Sequence, residues 1–243
     1  MRSLLPRSRR PRAATDGDLP IAAETVLSLP IALRAGEILR SVGYPAGVSA
    51  PLHVRRSVEH ALIEARRWLA PRGLYALYDI KEQTQRSLQI GGATINGNIG
   101  EYLRGARRVA VFMVTAGSEI TRRAGLACQR GDAFEGLALD AIGSWAAEAA
   151  AGALQDRLAR HLRPGESFTL RYSPGYCGMD LTQQQTLFAL APAGEVGITL
   201  LPSFLMQPLK SVSGIVGLGP RAIVGVHLSP CERCPQVGCL LRR

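Results

Sequence analysis

The order of apolar segments predicts an α+β domain, and three observations carry that prediction. Residues 109–114 (Val-Ala-Val-Phe-Met-Val) form an unbroken apolar run, short and β-rich, as expected of a strand buried on both faces. A long alanine-rich helical segment runs from 132 to 162 and is stopped by Pro164-Gly165. The strands and helices along the chain do not alternate in the strict strand–helix–strand rhythm of a parallel sheet.

The elements follow in order. Residues 1–20 are polar and rich in Pro and Arg without periodicity, so residues 1–25 read as a disordered basic arm. A helix is predicted near 30–41, stopping at Gly43. Val58, Ala61, Leu62, Ala65, Trp68 and Leu69 recur at helical spacing until Pro71 and Gly73 end that helix. A strand over 74–80 is followed by the turn Asn96-Gly-Asn98, which caps a short helix ending near Gly105. After the buried strand comes a helix over 118–129, then the long one. Its residues Ala146, Ala147, Ala149, Ala150 and Ala151 allow a neighbouring surface to come close. Strands are predicted over 168–172, 197–201 and 222–226, and Thr182 is placed as the cap of a helix through Leu190. No Ser/Gly linker interrupts the chain after residue 50, so residues 26–228 form one domain, with a Cys-rich tail over 229–243.

Charge and cysteine content narrow the function classes. The chain has 243 residues with 29 Lys+Arg against 19 Asp+Glu, a net charge of +10. Much of the excess lies in the tails, at Arg2, Arg7, Arg9, Arg10 and Arg12 and at Arg242 and Arg243. Inside the domain, the Arg-Arg pairs at 55–56, 66–67, 107–108 and 122–123 lie near glutamates in sequence. This pattern reads as solvated helix faces or as a surface that steers an acidic partner. Nucleic acid is the weaker partner, because no nucleic-acid-binding signature accompanies the charge. No apolar stretch reaches the length of a membrane span. Five cysteines, an odd number, argue against a fully paired disulfide framework, and with no secretory signal they point to the reducing cytoplasm.

Two motifs carry the chemistry. In Arg171-Tyr-Ser-Pro-Gly-Tyr176 a guanidinium stands at the end of an apolar-alternating run, immediately before a tight-turn Pro-Gly pair. A planar guanidinium suits a carboxylate, and glycine lets backbone approach a ligand. The second motif, Pro208-Leu-Lys-Ser-Val-Ser-Gly214, places Lys210 and Ser211 after a proline, either as a plain β-turn or as ligand contacts. Glu148, with Asp140 eight residues before it, lies among small apolar residues where an unpaired carboxylate is costly. Cys231, Cys234 and Cys239 are close enough to converge on one metal, with Cys177 or His227 as a fourth ligand. Zinc, an iron–sulfur cluster and a tail of reduced thiols all remain open.

Taken together, the sequence resembles the activation domain of cobalamin-dependent methionine synthase. The resemblance rests on the Arg171-x-x-x-Gly175-Tyr176 loop, on Ser203-Phe-Leu-Met-Gln-Pro208 with Ser211-Val-Ser-Gly214, on the run from Val109 into Thr115-Ala-Gly117, and on the helix from Asp140 to Ala151. It covers roughly 30–228 and is closest to the compact, free-standing version of that module. It implies a twisted, largely antiparallel sheet with helices packed around it. It also implies that the chain presents S-adenosylmethionine to a partner's cobalamin while cob(II)alamin is reductively methylated. The chain would then be a component of a methyltransferase activity rather than a complete enzyme. The match carries Arg171, Ser173, Gly175 and Tyr176 over as contacts to the amino-acid end and adenosine. It gives Glu148 the sulfonium or amino group, with Lys210 and Ser211 near the corrin or the methyl donor. The implied partners are the cobalamin-binding domain of methionine synthase or another corrinoid protein, and a flavodoxin-like acidic electron donor. The rival readings are a metal-containing redox or scaffold protein on the same fold, for another corrinoid methyltransferase, and a nucleic-acid-binding protein.

Overall fold

The computed structural model describes residues 18–45, 47–176 and 178–224. In chain order the elements are β1 (Ala22–Val26), α1 (Ala35–Ser41), α2 (Leu52–Ala65), β2 (Arg72–Asp79), β3 (Glu82–Gln83), β4 (Ser87–Ile90), β5 (Ala93–Asn96), α3 (Ile99–Tyr102), β6 (Arg108–Thr115), α4 (Glu119–Gln129), α5 (Ala133–Leu158), β7 (Glu166–Phe168), α6 (Gln183–Leu190), β8 (Thr199–Leu200), β9 (Met206–Gln207), β10 (Ser211–Pro220) and α7 (Arg221–Val224). A five-stranded sheet in the order β1-β2-β6-β10-β7 organises the molecule, and every neighbouring pair in it is antiparallel. This is the α+β class with the antiparallel sheet that the family resemblance implies.

Strand β6 lies at the centre of the sheet and is buried along its whole length, which explains its continuous apolar run. One face of the sheet packs Leu74, Tyr78, Val111, Met113 and Ile215 against the small sheet β3-β4-β5 and α6. The other face packs Tyr75, Phe112, Val114 and Val216 against Ala150, Ala151, Leu154 and Leu158 of α5. The first half of α5 belongs to a separate cluster with α1, α2 and α4, formed by Ile38, Val58, Ala61, Ile120 and Ile142. So α5 is buried on several sides, and Asp132 caps its start by accepting the Glu135 amide at 3.0 Å.

Several expectations need correction. Residues Ala22–Val26 are not part of a disordered arm: they pair with β2 from Ala22↔Leu77 to Val26↔Gly73. The first helix begins at Ala35 rather than 30. The segment 222–226 is not a strand: Arg221–Val224 is helical, and 225–226 lie outside the described residues. The strand is the preceding Ser211–Pro220, whose three glycines hid it, because glycine is a poor strand former. These glycines answer to close packing. A Cβ at Gly217 would come 2.6 Å from Ala106 Cβ and 2.9 Å from Thr169 Cγ2. Thr182 precedes α6, but its hydroxyl donates to Asp180 Oδ1 at 2.6 Å instead of capping the helix.

At the far end of α5, a polar cluster ties the helix terminus to the sheet edge. Glu24 of β1 accepts from Arg157 (2.8 Å) and Arg160 (2.6 Å). Buried Tyr75 accepts from Arg160 Nη2 at 2.8 Å and lies 2.8 Å from His161 Nε2. Arg160 Nε also points at that ring nitrogen, at 3.3 Å. Guanidinium can only donate, so Nε2 is the acceptor, the Tyr75 hydroxyl donates to it, and the ring is neutral. Burial holds the His161 pKa below its ordinary 6.5, and the charges of Arg160 and Arg108 push the same way.

Gly217→Ala is expected to destabilise the fold by about 1–3 kcal/mol through overpacking, seen as a lower urea midpoint at unchanged slope. At His161, a folded-state pKa below the unfolded one means that the folded state binds fewer protons. The His161 contribution is therefore complete above about pH 6.5 and is lost as pH falls through the lower folded value. The urea midpoint of the wild type should drop between about pH 7.5 and pH 5, and His161→Gln should shrink that drop.

Candidate functional site

The site is created by an irregularity in the edge strand. Residue Phe168 pairs with Leu218 and Tyr172 bridges Ile215, so four steps on one strand match three on the other. Leu170 and Arg171 together oppose Val216, which makes this a β-bulge. Thr169 stabilises it. Its amide donates to the Gly217 carbonyl at 2.9 Å, and its hydroxyl accepts the Gly217 amide at 2.9 Å. The extra residue reverses the alternation. Phe168 packs with the α5-side cluster, whereas Tyr172 is buried in the opposite cluster, stacked on Tyr102 with centroids 4.2 Å apart. Regular alternation would have put Phe168 and Tyr172 on one face and turned Arg171 away from α5.

Turned toward α5, Arg171 borders a small apolar cavity lined by Tyr75, Phe112, Ala151, Leu154 and Val216, between helix and sheet. Its Nη2 donates to Glu148 Oε2 at 3.0 Å. Its Nη1 is buried and has no hydrogen-bond partner among the described residues. The side chains of Arg171 and Glu148 are 30% and 43% exposed, so water screens their ion pair. A pair of this exposure contributes at most about 1 kcal/mol, little enough for a ligand to exchange.

Ser173 and Gly175 belong to a loop closed on itself. The Tyr176 amide donates to the Ser173 carbonyl (3.1 Å), Met179 to Tyr176 (2.8 Å) and Gly175 to Met179 (2.9 Å). Gly175 has φ +88°, a left-handed conformation that favours glycine. Ser173 lies against β10 so closely that a Cβ at Gly214 would stand 2.6 Å from Ser173 Oγ and 2.8 Å from the Tyr172 carbonyl. The Tyr176 side chain is largely exposed beside this loop.

Two helical turns earlier on the same stripe of α5, Asp140 Oδ1 and Ser144 Oγ receive Lys210 Nζ at 2.7 Å and 2.9 Å. The eight-residue offset between Asp140 and Glu148 corresponds to roughly 12 Å along the axis. The Lys210 stem crosses Gly143, where a Cβ would come 3.0 Å from its Cγ. Ser211 uses its hydroxyl inside the chain, donating to the Pro208 carbonyl at 2.7 Å, in keeping with the plain turn. Thus Glu148 and Arg171 meet, while Ser173, two residues further along, packs against Gly214. Asp140 and Lys210 join the first two through α5, and Ser211 is committed to its own turn. Neither motif points to Gly143 or Ser144, although Ser144 stands midway between Asp140 and Glu148 at the i+4 spacing that marks one helix face. Of the expected metal ligands, Cys177, His227, Cys231, Cys234 and Cys239 lie outside the described residues. Among the described residues no group of three or more His, Cys, Asp or Glu could hold a metal ion, and no helix is long and apolar enough to cross a membrane.

The comparisons with known proteins agree with this architecture. A solved structure of the MetH reactivation domain bound to AdoHcy superposes on the chain with a TM-score of 0.62 and 18% identity, over 83% of this chain and 79% of that one. At that identity the likeness is one of fold. No curated protein matches the chain. The family model for the activation domain of vitamin B12 dependent methionine synthase matches residues 74–224, more than half of the sequence, and so spans both motifs, α5 and the bulge. The chain belongs to the vitamin B12 dependent methionine synthase activation domain family.

Proposed function

We propose that this chain holds S-adenosylmethionine for the reactivation of a partner's cobalamin, as a component of a cobalamin-dependent methionine synthase. The observation that carries the reading is the bulge that turns Arg171 of the Arg-x-x-x-Gly-Tyr loop onto Glu148. The methionine end of S-adenosylmethionine has a carboxylate, an ammonium and a sulfonium. A guanidinium beside a carboxylate matches that mixture of charges. Membership of the family and the AdoHcy-bound structure of similar fold support the same ligand.

In this reading Arg171 binds the ligand carboxylate and Glu148 faces its positive charges. The loop from Ser173 through Gly175 to Tyr176 offers backbone groups and an exposed aromatic ring to the nucleoside. Lys210 and Ser211 hold the start of β10 in place beside α5, through Asp140, Ser144 and the Pro208 carbonyl. S-adenosylmethionine, once bound, supplies the methyl group, and the cobalt chemistry is that of the partner's cofactor. The cobalamin-binding domain of methionine synthase is the partner we assign. A flavodoxin-like acidic protein is the electron donor that the basic surface suits, in the cytoplasm.

Arg171→Ala is expected to weaken S-adenosylhomocysteine binding by at least tenfold, or about 1.4 kcal/mol, by calorimetry on a folded variant. In reconstitution, a methionine synthase core lacking its activation domain and trapped as cob(II)alamin is mixed with reductant and S-adenosylmethionine. Methylcobalamin should return, by its absorption spectrum, only when this chain is added. Equal recovery without the chain would refute the assignment.

A further inference from the structure

We infer that Glu148 acts as a selectivity filter: it occupies Arg171 in the ligand-free chain and releases it only to a ligand that brings a cation of its own. The inference rests on the proposed binding of an adenosylated amino acid at this site and names what that site selects.

Charges on the α5 face are matched one to one. Two carboxylates, Asp140 and Glu148, meet two cations, Lys210 and Arg171. Lys210 is committed to Asp140 and Ser144 and is only 11% exposed, so it is not available to Glu148 when Arg171 is taken. Arg171 itself has one terminal nitrogen to offer. Nη1 is shut away from solvent, and Nη2 is the one that Glu148 holds. Nη2 has a second N–H, but a ligand carboxylate that takes it lies directly beside the Glu148 carboxylate.

The outcome depends on the ligand's other charge. A plain carboxylate adds a third anion to two cations and either crowds Glu148 on Nη2 or displaces it, a like-charge arrangement that opposes binding. A zwitterion brings an ammonium that takes the place of the guanidinium on Glu148, so the internal ion pair is exchanged for two external ones and every charge stays matched. Glu148 thus rejects carboxylates that lack an α-amino group, through an unpaired charge rather than through shape.

The test compares S-adenosylhomocysteine with S-adenosyl-4-thiobutanoate, which lacks only the α-amino group, on the full chain and on Glu148→Gln. The wild type should bind the amino acid at least tenfold more tightly than the deaminated compound. In Glu148→Gln the deaminated compound should bind at least fivefold more tightly than it does to the wild type, and the preference should narrow accordingly. A simple ligand-contact role for Glu148 predicts no such gain. The inference is overturned, with the proposed function left standing, if the wild type binds both compounds equally, or if Glu148→Gln binds the deaminated one no better. Failure of S-adenosylhomocysteine itself to bind the wild type would overturn both. The wild-type ratio needs no variant, so poor folding of Glu148→Gln would still leave a decisive measurement.

Discussion

A single unmatched residue in the edge strand is the constraint on which the functional face depends. Between the Phe168–Leu218 pair and the Tyr172–Ile215 bridge, Leu170 and Arg171 share one partner, and the chain's two faces change places. The exchange puts Tyr172 into the core on one side and Arg171 against α5 on the other. It is kept by Thr169, whose hydroxyl replaces a missing backbone acceptor, and by Gly214 and Gly217, which leave room for the displaced strand. A regular strand with the same composition would bury a guanidinium in the apolar cluster beneath α6, where nothing in its surroundings could offset the loss of hydration.

The helix that receives Arg171 combines two roles that would conflict on an ordinary amphipathic helix. Its alanines come close to the sheet, while Asp140, Ser144 and Glu148 form a polar stripe along the same cylinder. The small residues make this workable: with little side-chain bulk between helix and strand, two short-range ion pairs span the gap from α5 to β10 and to the bulge. Both pairs are partly wet. They contribute little to stability, and the more exposed of them, Arg171 with Glu148, remains open to exchange, as a binding site requires. The tightly packed, dry part of α5 lies beyond them, at Ala150, Ala151 and Leu154.

What was legible in the sequence divides from what was not by the range of the interaction involved. Strand β6 and helices α2, α4 and α5 were legible because local pattern decides them: an apolar run, a 3.6-residue period or a Pro-Gly stop. The turn expected at Asn96-Gly-Asn98 is in part strand β5, and Asn98 gives α3 no side-chain cap. Strand β10 was not, since its glycines answer to Ala106, Thr169 and Ser173, residues far away along the chain. Strand β1 was hidden in a basic, proline-containing approach, and only β2 makes it a strand.

At the site, the residue types and the motif spacing were written in the sequence: a guanidinium before a Pro-Gly turn, a glutamate among alanines, a lysine ahead of Ser-Val-Ser-Gly. Their pairing was not. That Arg171 meets Glu148, and that Lys210 is spent on Asp140 and Ser144, follows from the register of a bulged edge strand against a glycine-rich neighbour and from the depth at which an alanine helix packs. Such quantities are set by contacts between distant segments, which no local pattern of residues encodes.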